Sequence, residues 1–285
     1  MNPIVYHIAS GQAFFTGVAL IILAALLSLR EHRLARRLMV LSFLLGVIAA
    51  AVSSTPLPWW LYGIMGVVTL VWLCSGFVKK SRRAAAYAVI GVWLVGLLLE
   101  VPSHLTPGVK PAASRSLTVI GDSVTAGLGD EATETWPRIL ERTHGIAVQD
   151  LSHVGDTVSA ARKRVMETEI ESPLVLLEIG GNDLLGSTTT AQFEKNLDAL
   201  LSELTSPGRQ LVMLELPLPP FYHEFGRIQR ALARKHGVKL VPKRVFLSII
   251  AGGGATLDSI HLSQAGHQNM AEVVWQILAP AYSTD

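Results

Sequence analysis

The sequence predicts an α/β domain with a parallel sheet, preceded by an all-α domain of four transmembrane helices. After residue 115, short β-branched runs alternate with helix-like segments, which is typical of a parallel sheet covered by helices on both faces. Before that point, long uncharged apolar runs follow one another, each near the length that spans a membrane as a helix. We therefore expect a membrane domain over 1–101, a linker over 102–115 and an α/β domain over 116–285.

The elements of the α/β domain follow from the period of its apolar residues and from the turn residues between them. The predicted strands cover 116–120, 147–151, 173–179, 210–216 and 238–241, and the predicted helices cover 135–144, 158–170, 190–205, 224–236 and 264–280. Pro102, Pro107 and Pro111 predict a stiff, irregular linker before the first strand.

The four apolar runs cover 12–29, 38–54, 58–78 and 84–99. None of them carries a charge near its middle. Because intramembrane charges usually mark ion or substrate paths, their absence favours an anchor over a transporter. Small residues within the runs, which allow close helix packing, are Gly63, Gly66, Gly91 and Gly96.

Basic residues between the runs predict the orientation of the membrane domain. They fall in the first and third connections and are Arg30, Arg33, Arg36, Arg37, Lys79, Lys80, Arg82 and Arg83. The positive-inside rule then places these two connections in the cytoplasm. Both termini and the α/β domain are expected on the periplasmic or extracellular side of a bacterial inner or cell membrane.

The charge distribution excludes a nucleic-acid-binding surface as the explanation of the basic isoelectric point. Residues 1–110 hold nine Lys/Arg and two Asp/Glu, whereas the remainder holds fifteen and twenty. The basic charge therefore belongs to the membrane connections, and the α/β domain is mildly acidic. The single cysteine, Cys74, lies in the third apolar run, so the α/β domain needs no disulfide in an oxidising compartment. Nothing in the sequence identifies a protein partner.

The motif that predicts chemistry is Gly121-Asp122-Ser123, directly after a β-branched run. It indicates a sharp turn from strand to helix, which holds a serine hydroxyl at the carboxyl edge of the sheet. A serine needs a base to become a nucleophile, and His261 is the candidate. Asp258 is expected to accept from the other ring nitrogen and to fix the tautomer of His261.

Acyl transfer also needs donors that face the developing oxyanion. The candidates are the backbone N–H groups of Ser123 and Gly155 and the side-chain amide of Asn182. Leu184 and Leu185 are equally consistent with an acyl-binding pocket and with core packing. The sequence shows no phosphate-binding glycine loop and no metal-ligand cluster, so we expect neither a cofactor nor a metal.

These motifs resemble those of the SGNH (GDSL-type) hydrolase family, which is named for its Ser, Gly, Asn and His. The matching residues are Ser123, Gly155, Asn182 and His261. Flanking stretches such as Thr135-Trp136-Pro137, Leu177-Glu178-Ile179-Gly180-Gly181-Asn182-Asp183 and Leu216-Pro217-Leu218-Pro219-Pro220 resemble the thioesterase I/lysophospholipase L1/arylesterase branch. The resemblance implies a flavodoxin-like three-layer sandwich and a serine esterase. One departure concerns the pocket wall, because the branch has Gly and Pro where this chain has Ser259 and Leu262.

Two enzymatic functions and one non-catalytic function follow as hypotheses. The first is a membrane-anchored serine esterase that hydrolyses acyl esters such as a lysophospholipid, a thioester or a small acyl ester. The alternative is an O-acetylesterase or acyltransferase that acts on cell-envelope glycans. A binding module with a relic site is disfavoured, because all candidate catalytic residues are present.

Overall fold

The computed structural model describes residues 2–75, 81–128, 133–252, 254–258 and 261–283. The chain divides into two compact units. The helical unit comprises Pro3–His104 and Leu218–His223, and the α/β unit comprises mainly Leu105–Pro217 and Glu224–Asp285.

The helical unit consists of apolar helices, of which α2 to α5 fall on the four predicted runs and α1 precedes them. They are α1 (Pro3–Ala9), α2 (Gln12–Leu27), α3 (Arg33–Val52), α4 (Trp59–Ser75) and α5 (Arg82–Glu100), followed by a 3-10 turn (Val101–His104). Among the described residues, two helices are long and apolar enough to cross a membrane, α3 and α5 with its 3-10 extension. The bent pair α1 and α2, which meet at 86°, gives a third if it counts as one span, and α4 is a shorter apolar helix. The sequence predicts four membrane-spanning helices, whereas two or three of the described helices are long enough to span a membrane.

The outer surface of this unit is apolar. Large apolar side chains are exposed along α3 and α4, among them Leu41, Ile48, Val67 and Leu70. Many exposed apolar side chains of this kind are costly in water and suit a lipid environment.

Two expectations for the helical unit are wrong. Helix α3 begins at Arg33 instead of residue 38, so three of the expected loop arginines lie in its first turns, where arginine is a good helix former. Lys79 and Lys80 lie outside the described residues.

In the described part of the chain, an added Cβ would meet nothing within 4 Å at Gly63, Gly66 or Gly91.

Close helix packing occurs instead between α2 and α3. A Cβ added at Gly17 would lie 2.7 Å from the backbone nitrogen of Ala50, and one at Gly46 would lie 2.8 Å from Ile21. Of the four predicted glycines, Gly96 alone touches a neighbouring helix, with Met65 3.0 Å from an added Cβ. The sequence shows which residues are small but not which face of a helix meets its neighbour.

The α/β unit contains a five-stranded parallel sheet in the order β2-β1-β3-β4-β5. The strands are β1 (Ser116–Gly121), β2 (Ala147–Asp150), β3 (Leu174–Glu178), β4 (Gln210–Leu214) and β5 (Lys239–Val241). Because the strand order reverses between β1 and β3, their carboxyl ends form the switch point where such sheets bind ligands.

Helices connect and flank the strands. They are α6 (Ser123–Ala126), α7 (Trp136–His144), α8 (Val158–Met166), α9 (Gly181–Leu185), α10 (Thr190–Leu204), α11 (His223–Lys235), α12 (Lys243–Ile250) and α13 (Gln264–Tyr282). The longer helices agree with the predicted segments, but α12 is not among them. Its β-branched residues Val245, Ile249 and Ile250 disfavour a helix locally, and burial of Phe246 and Ile249 in the core stabilises it.

The segment predicted as a linker has no regular secondary structure over 105–115, yet it packs on the α/β unit. The Ala112 N–H donates to the Ala281 carbonyl (2.8 Å), and Val109 and Ala112 contact the core. The Lys110 N–H donates to Gln210 Oε1 at 2.8 Å. Most of the predicted linker, from Leu105 onward, therefore belongs to the α/β unit.

Candidate active site

The turn between β1 and α6 presents Ser123 at the switch point of the sheet. Asp122 precedes it and caps α6, with Oδ1 accepting from the Val124 N–H at 3.0 Å. Gly121 is required by the tight turn, because an added Cβ would lie 2.5 Å from Thr125 Cβ. The Gly-Asp-Ser motif therefore sets both the direction and the close packing of the turn.

The structure brings Ser123, His261 and Asp258 together. His261 Nε2 lies 3.1 Å from Ser123 Oγ, and His261 Nδ1 lies 2.7 Å from Asp258 Oδ2. The Asp258 carboxylate also accepts from the His261 backbone N–H at 2.9 Å, which fixes the loop as well as the ring. Such a chain can move a proton from the serine to the imidazole and stabilise the resulting cation. The intervening Ser259 and Ile260 lie outside the described residues. Of the two departures from the branch, Ser259 and Leu262, only Leu262 is therefore described, and it is buried in the core.

The candidate oxyanion donors come from the ends of three neighbouring strands. Gly155 follows β2 with a φ of +82°, a left-handed conformation that favours glycine. Asn182 Nδ2 donates to the Asp156 carbonyl at 2.9 Å and to Asp122 Oδ2 at a longer 3.4 Å. Within the described residues, the backbone N–H groups of Ser123 and Gly155 have no hydrogen-bond acceptor. Unpaired donors of this kind can accept a new charged ligand.

Comparison with known proteins decides the family. The model of the GDSL-like Lipase/Acylhydrolase family matches residues 119–268, more than half of the chain. Esterase TesA of Pseudomonas aeruginosa is 32% identical over an alignment of 198 positions, which covers 65% of this chain and 98% of TesA. The chain belongs to the GDSL-like lipase/acylhydrolase family. It is an SGNH-type serine esterase and hydrolase of the branch that contains TesA, thioesterase I and arylesterase.

Other relatives agree with this placement. The Escherichia coli K12 protein named Thioesterase 1/protease 1/lysophospholipase L1 is 29% identical over 142 residues, covering 47% of this chain and 68% of that protein. The crystal structure of TesA has a TM-score of 0.51 at 30% identity and covers 58% of this chain and 99% of its own. That of EstA from Pseudoalteromonas, at 20% identity and a TM-score of 0.53, shares the fold.

Two buried carboxyl groups lie beneath the nucleophile turn of this GDSL-family chain. Burial raises the pKa of Asp122 to about 6, while the Val124 N–H bond and the nearby His261 act in the opposite direction. Burial, and then the charge of Asp122, raise the pKa of Glu178 well above its usual range. Two like charges in a shared apolar site are unfavourable, so this pair holds a proton at pH values where isolated carboxyls have lost theirs.

A hydrogen-bonded chain leads from Glu178 away from the sheet. The Thr125 hydroxyl donates to Glu178 Oε2 at 2.9 Å, and Trp136 Nε1 donates to Thr125 Oγ1 at 3.3 Å. The Trp136 backbone N–H in turn donates to His267 Nδ1 at 3.3 Å. Burial lowers the pKa of His267, so the ring stays neutral and accepts at Nδ1. The sequence alone leaves the role of Glu178 open. Its one sign of these hydrogen bonds is Thr125, two residues after Ser123.

A cavity of about 740 Å³ lies beside the nucleophile helix and the histidine loop. Half of its lining residues are apolar or glycine, among them Leu128, Val148, Leu257 and Leu262, and half are polar, among them Thr133, Arg138, Glu141 and Asp150. Neither Ser123 nor His261 is part of the lining. Neither leucine predicted for an acyl pocket lines the cavity: Leu184 is buried, whereas Leu185 is 66% exposed.

In the described part of the chain, no group of three or more His, Cys, Asp or Glu residues is placed to hold a metal ion.

Proposed function

We propose that this protein is a membrane-anchored serine esterase that hydrolyses acyl esters through an acyl-enzyme on Ser123, with its active site outside the cytoplasm. The observation that carries the proposal is the hydrogen-bonded chain Ser123–His261–Asp258, with distances of 3.1 and 2.7 Å. This order of groups is the one that nucleophilic ester cleavage requires.

In the proposed mechanism, Ser123 Oγ attacks the ester carbonyl carbon while His261 Nε2 takes the hydroxyl proton. Asp258 stabilises the imidazolium through Nδ1–H. The tetrahedral oxyanion is bound by the N–H groups of Ser123 and Gly155 and by Asn182 Nδ2. Asn182 can offer the hydrogen that now makes its longer bond, because that 3.4 Å contact is the weaker of the two.

His261 then donates its proton to the leaving alcohol or thiol, and the acyl group remains on Ser123. Water attacks this ester with His261 as the base, releasing the acid and restoring the serine. In the first half of the cycle His261 passes the serine proton to the leaving group, and in the second half it passes a proton from water to Ser123, so the enzyme is restored and no cofactor is consumed.

Membrane anchoring and orientation are part of the same proposal. The apolar outer surface of α3, α4 and α5 supports insertion in lipid. The arginines at the starts of α3 and α5 support a cytoplasmic location for these two helix ends. Together they support an outward location of the α/β unit.

The polar half of the cavity lining favours a second candidate, an O-acetylesterase or acyltransferase that acts on cell-envelope glycans. Its threonine, arginine and carboxylate lining suits a sugar or another polar alcohol better than an alkyl chain. The two candidates share the acyl-enzyme and differ in the alcohol that leaves or enters. We expect the first to favour lysophospholipids or longer acyl chains, and the second to favour acetyl esters of glycans.

An ester panel tests the proposal on the full-length protein in detergent micelles. The substrates are p-nitrophenyl esters of graded chain length, a lysophospholipid and an O-acetylated glycan, with Ser123→Ala as the control. Hydrolysis of at least one class that is lost in Ser123→Ala supports the proposal. Hydrolysis that persists in Ser123→Ala contradicts it, and preference for the acetylated glycan selects the second candidate.

A further inference from the structure

We infer that Glu178 is a positioning residue for the nucleophile, acting on Ser123 through the hydroxyl of Thr125. This inference rests on the proposed function, in which Ser123 attacks the ester. It adds a residue outside the triad and the oxyanion donors, together with the contact by which that residue acts.

The register of the sheet places Glu178 under the turn. Glu178 is the last residue of β3 and pairs with Gly121, the last residue of β1. The nucleophile lies two residues after Gly121. A side chain at this position of β3 therefore meets the nucleophile turn as it leaves the sheet, and Glu178 is buried there.

Helix α6 needs such support. It is four residues long, Ser123–Ala126, and a helix of one turn is not stable by itself. The Asp122 cap holds its first turn, and the Thr125 bond to Glu178 Oε2, at 2.9 Å, holds the side of the helix. Thr125 and Ser123 share this single turn, so a rotation of one moves the other.

The Thr125 hydroxyl is also closely packed on its other sides. An added Cβ on Gly121 would lie 2.5 Å from Thr125 Oγ1, so the threonine hydroxyl rests directly against the strand end. Trp136 Nε1 donates to the same hydroxyl at 3.3 Å, which leaves its hydrogen directed at Glu178. Both partners are buried, so water does not replace the bond if one is removed.

Glu178 serves as an acceptor in this arrangement, and its charge is not required. Protonation of the buried pair still leaves an acceptor oxygen for Thr125. Glu178 also accepts from the Asp122 backbone N–H. Glutamine keeps one acceptor oxygen at this position, whereas leucine fills the space without an acceptor.

The test uses steady-state kinetics of the full-length protein with a p-nitrophenyl ester. We expect Thr125→Val and Glu178→Leu each to lower kcat about tenfold to a hundredfold with little change in KM, as a small displacement of a reacting group does. Thr125→Ser and Glu178→Gln should recover most of kcat. The double variant should be no slower than the slower single variant, because both substitutions remove the same bond between Thr125 and Glu178.

The matched control is Thr118→Val. Thr118 lies in β1, and its buried side-chain hydroxyl donates to Gln149 Oε1 at 2.9 Å. We expect Thr118→Val to leave kcat unchanged at a similar melting temperature. Equal losses of kcat in Thr125→Val and Thr118→Val would overturn the inference, as would a Glu178→Gln variant as slow as Glu178→Leu. If Glu178→Leu does not fold, the Thr125 pair decides alone. Ser123→Ala separates the two claims, since its activity tests the proposed nucleophile independently of Glu178.

Discussion

The Nε2 atom of His261 lies 3.1 Å from the Oγ atom of Ser123, although 138 positions separate the two residues in the chain. Ser123 is positioned by the turn after β1, and His261 is positioned by the segment before α13. The reactivity of the serine thus depends on a long-range contact of the α/β unit.

Replacement of either end of this contact should abolish ester hydrolysis. We expect Ser123→Ala and His261→Ala each to lower kcat by about a thousandfold or more, because triad residues act as one unit. The double variant should be no slower than either single variant. The measurement is kcat on a p-nitrophenyl ester, with circular dichroism as the control for folding; a folded single variant with wild-type turnover would contradict the assignment.

Asn182→Ala should be slow but measurably active. It removes one of three proposed oxyanion donors, which typically costs about a hundredfold to a thousandfold in kcat with little change in KM. Comparison of kcat and KM with the wild-type values checks this expectation. A rise in KM at unchanged kcat would instead assign Asn182 to ground-state binding.

Asp122→Asn should raise stability above pH 6. The folded-state pKa of Asp122 is about 6 against a usual 3.8, so the folded protein binds more protons than the unfolded chain between these values. Stability should therefore fall as the pH rises from about 4 to 6. Asparagine removes the buried charge and keeps an oxygen for the Val124 cap. Apparent melting temperatures at pH 4.5 and 7.5 measure the effect.

Asp198→Asn is the control for this measurement, because the pKa of Asp198 is shifted in the opposite direction to that of Asp122. Hydrogen bonds from Lys235 and His236 hold the pKa of Asp198 below its usual range, so its charge is favourable in the fold. We expect the melting temperature of Asp198→Asn at pH 7.5 to lie at or below the wild-type value. A similar fall in Asp122→Asn would contradict the account of the buried pair.

A reporter fused after Asp285, which itself lies outside the described residues, should be active only when exported. The physical reason is the positive-inside rule applied to the arginines at the starts of α3 and α5. Paired fusions to alkaline phosphatase and to a cytoplasmically active fluorescent protein give opposite signals for the two orientations. A fluorescent, phosphatase-negative C-terminus would overturn the proposed outward location of the α/β unit.

The sequence predicted the parallel sheet and its strands because those signals are local. A β-branched run that ends in Gly121-Asp122-Ser123 specifies strand, turn and helix within a few residues. The convergence of Ser123 and His261 was predictable from the resemblance of the motifs to a known family. Neither required knowledge of side-chain packing.

What the sequence could not provide depends on register and on helix faces. The contact between Thr125 and Glu178 exists because Gly121 pairs with Glu178 across the sheet. Likewise, Gly17 meets Ala50 only because of the faces that α2 and α3 turn toward each other. Helix α12 forms against its local preference because burial in the core outweighs that preference.

The most direct test of the central claim is the site of the acyl-enzyme. The full-length protein is mixed rapidly with a p-nitrophenyl ester, quenched in acid, digested and analysed by mass spectrometry. We predict a burst of one p-nitrophenol per protein and an acyl group on Ser123 alone. An acyl group on another residue, or turnover without any covalent intermediate, would contradict the account.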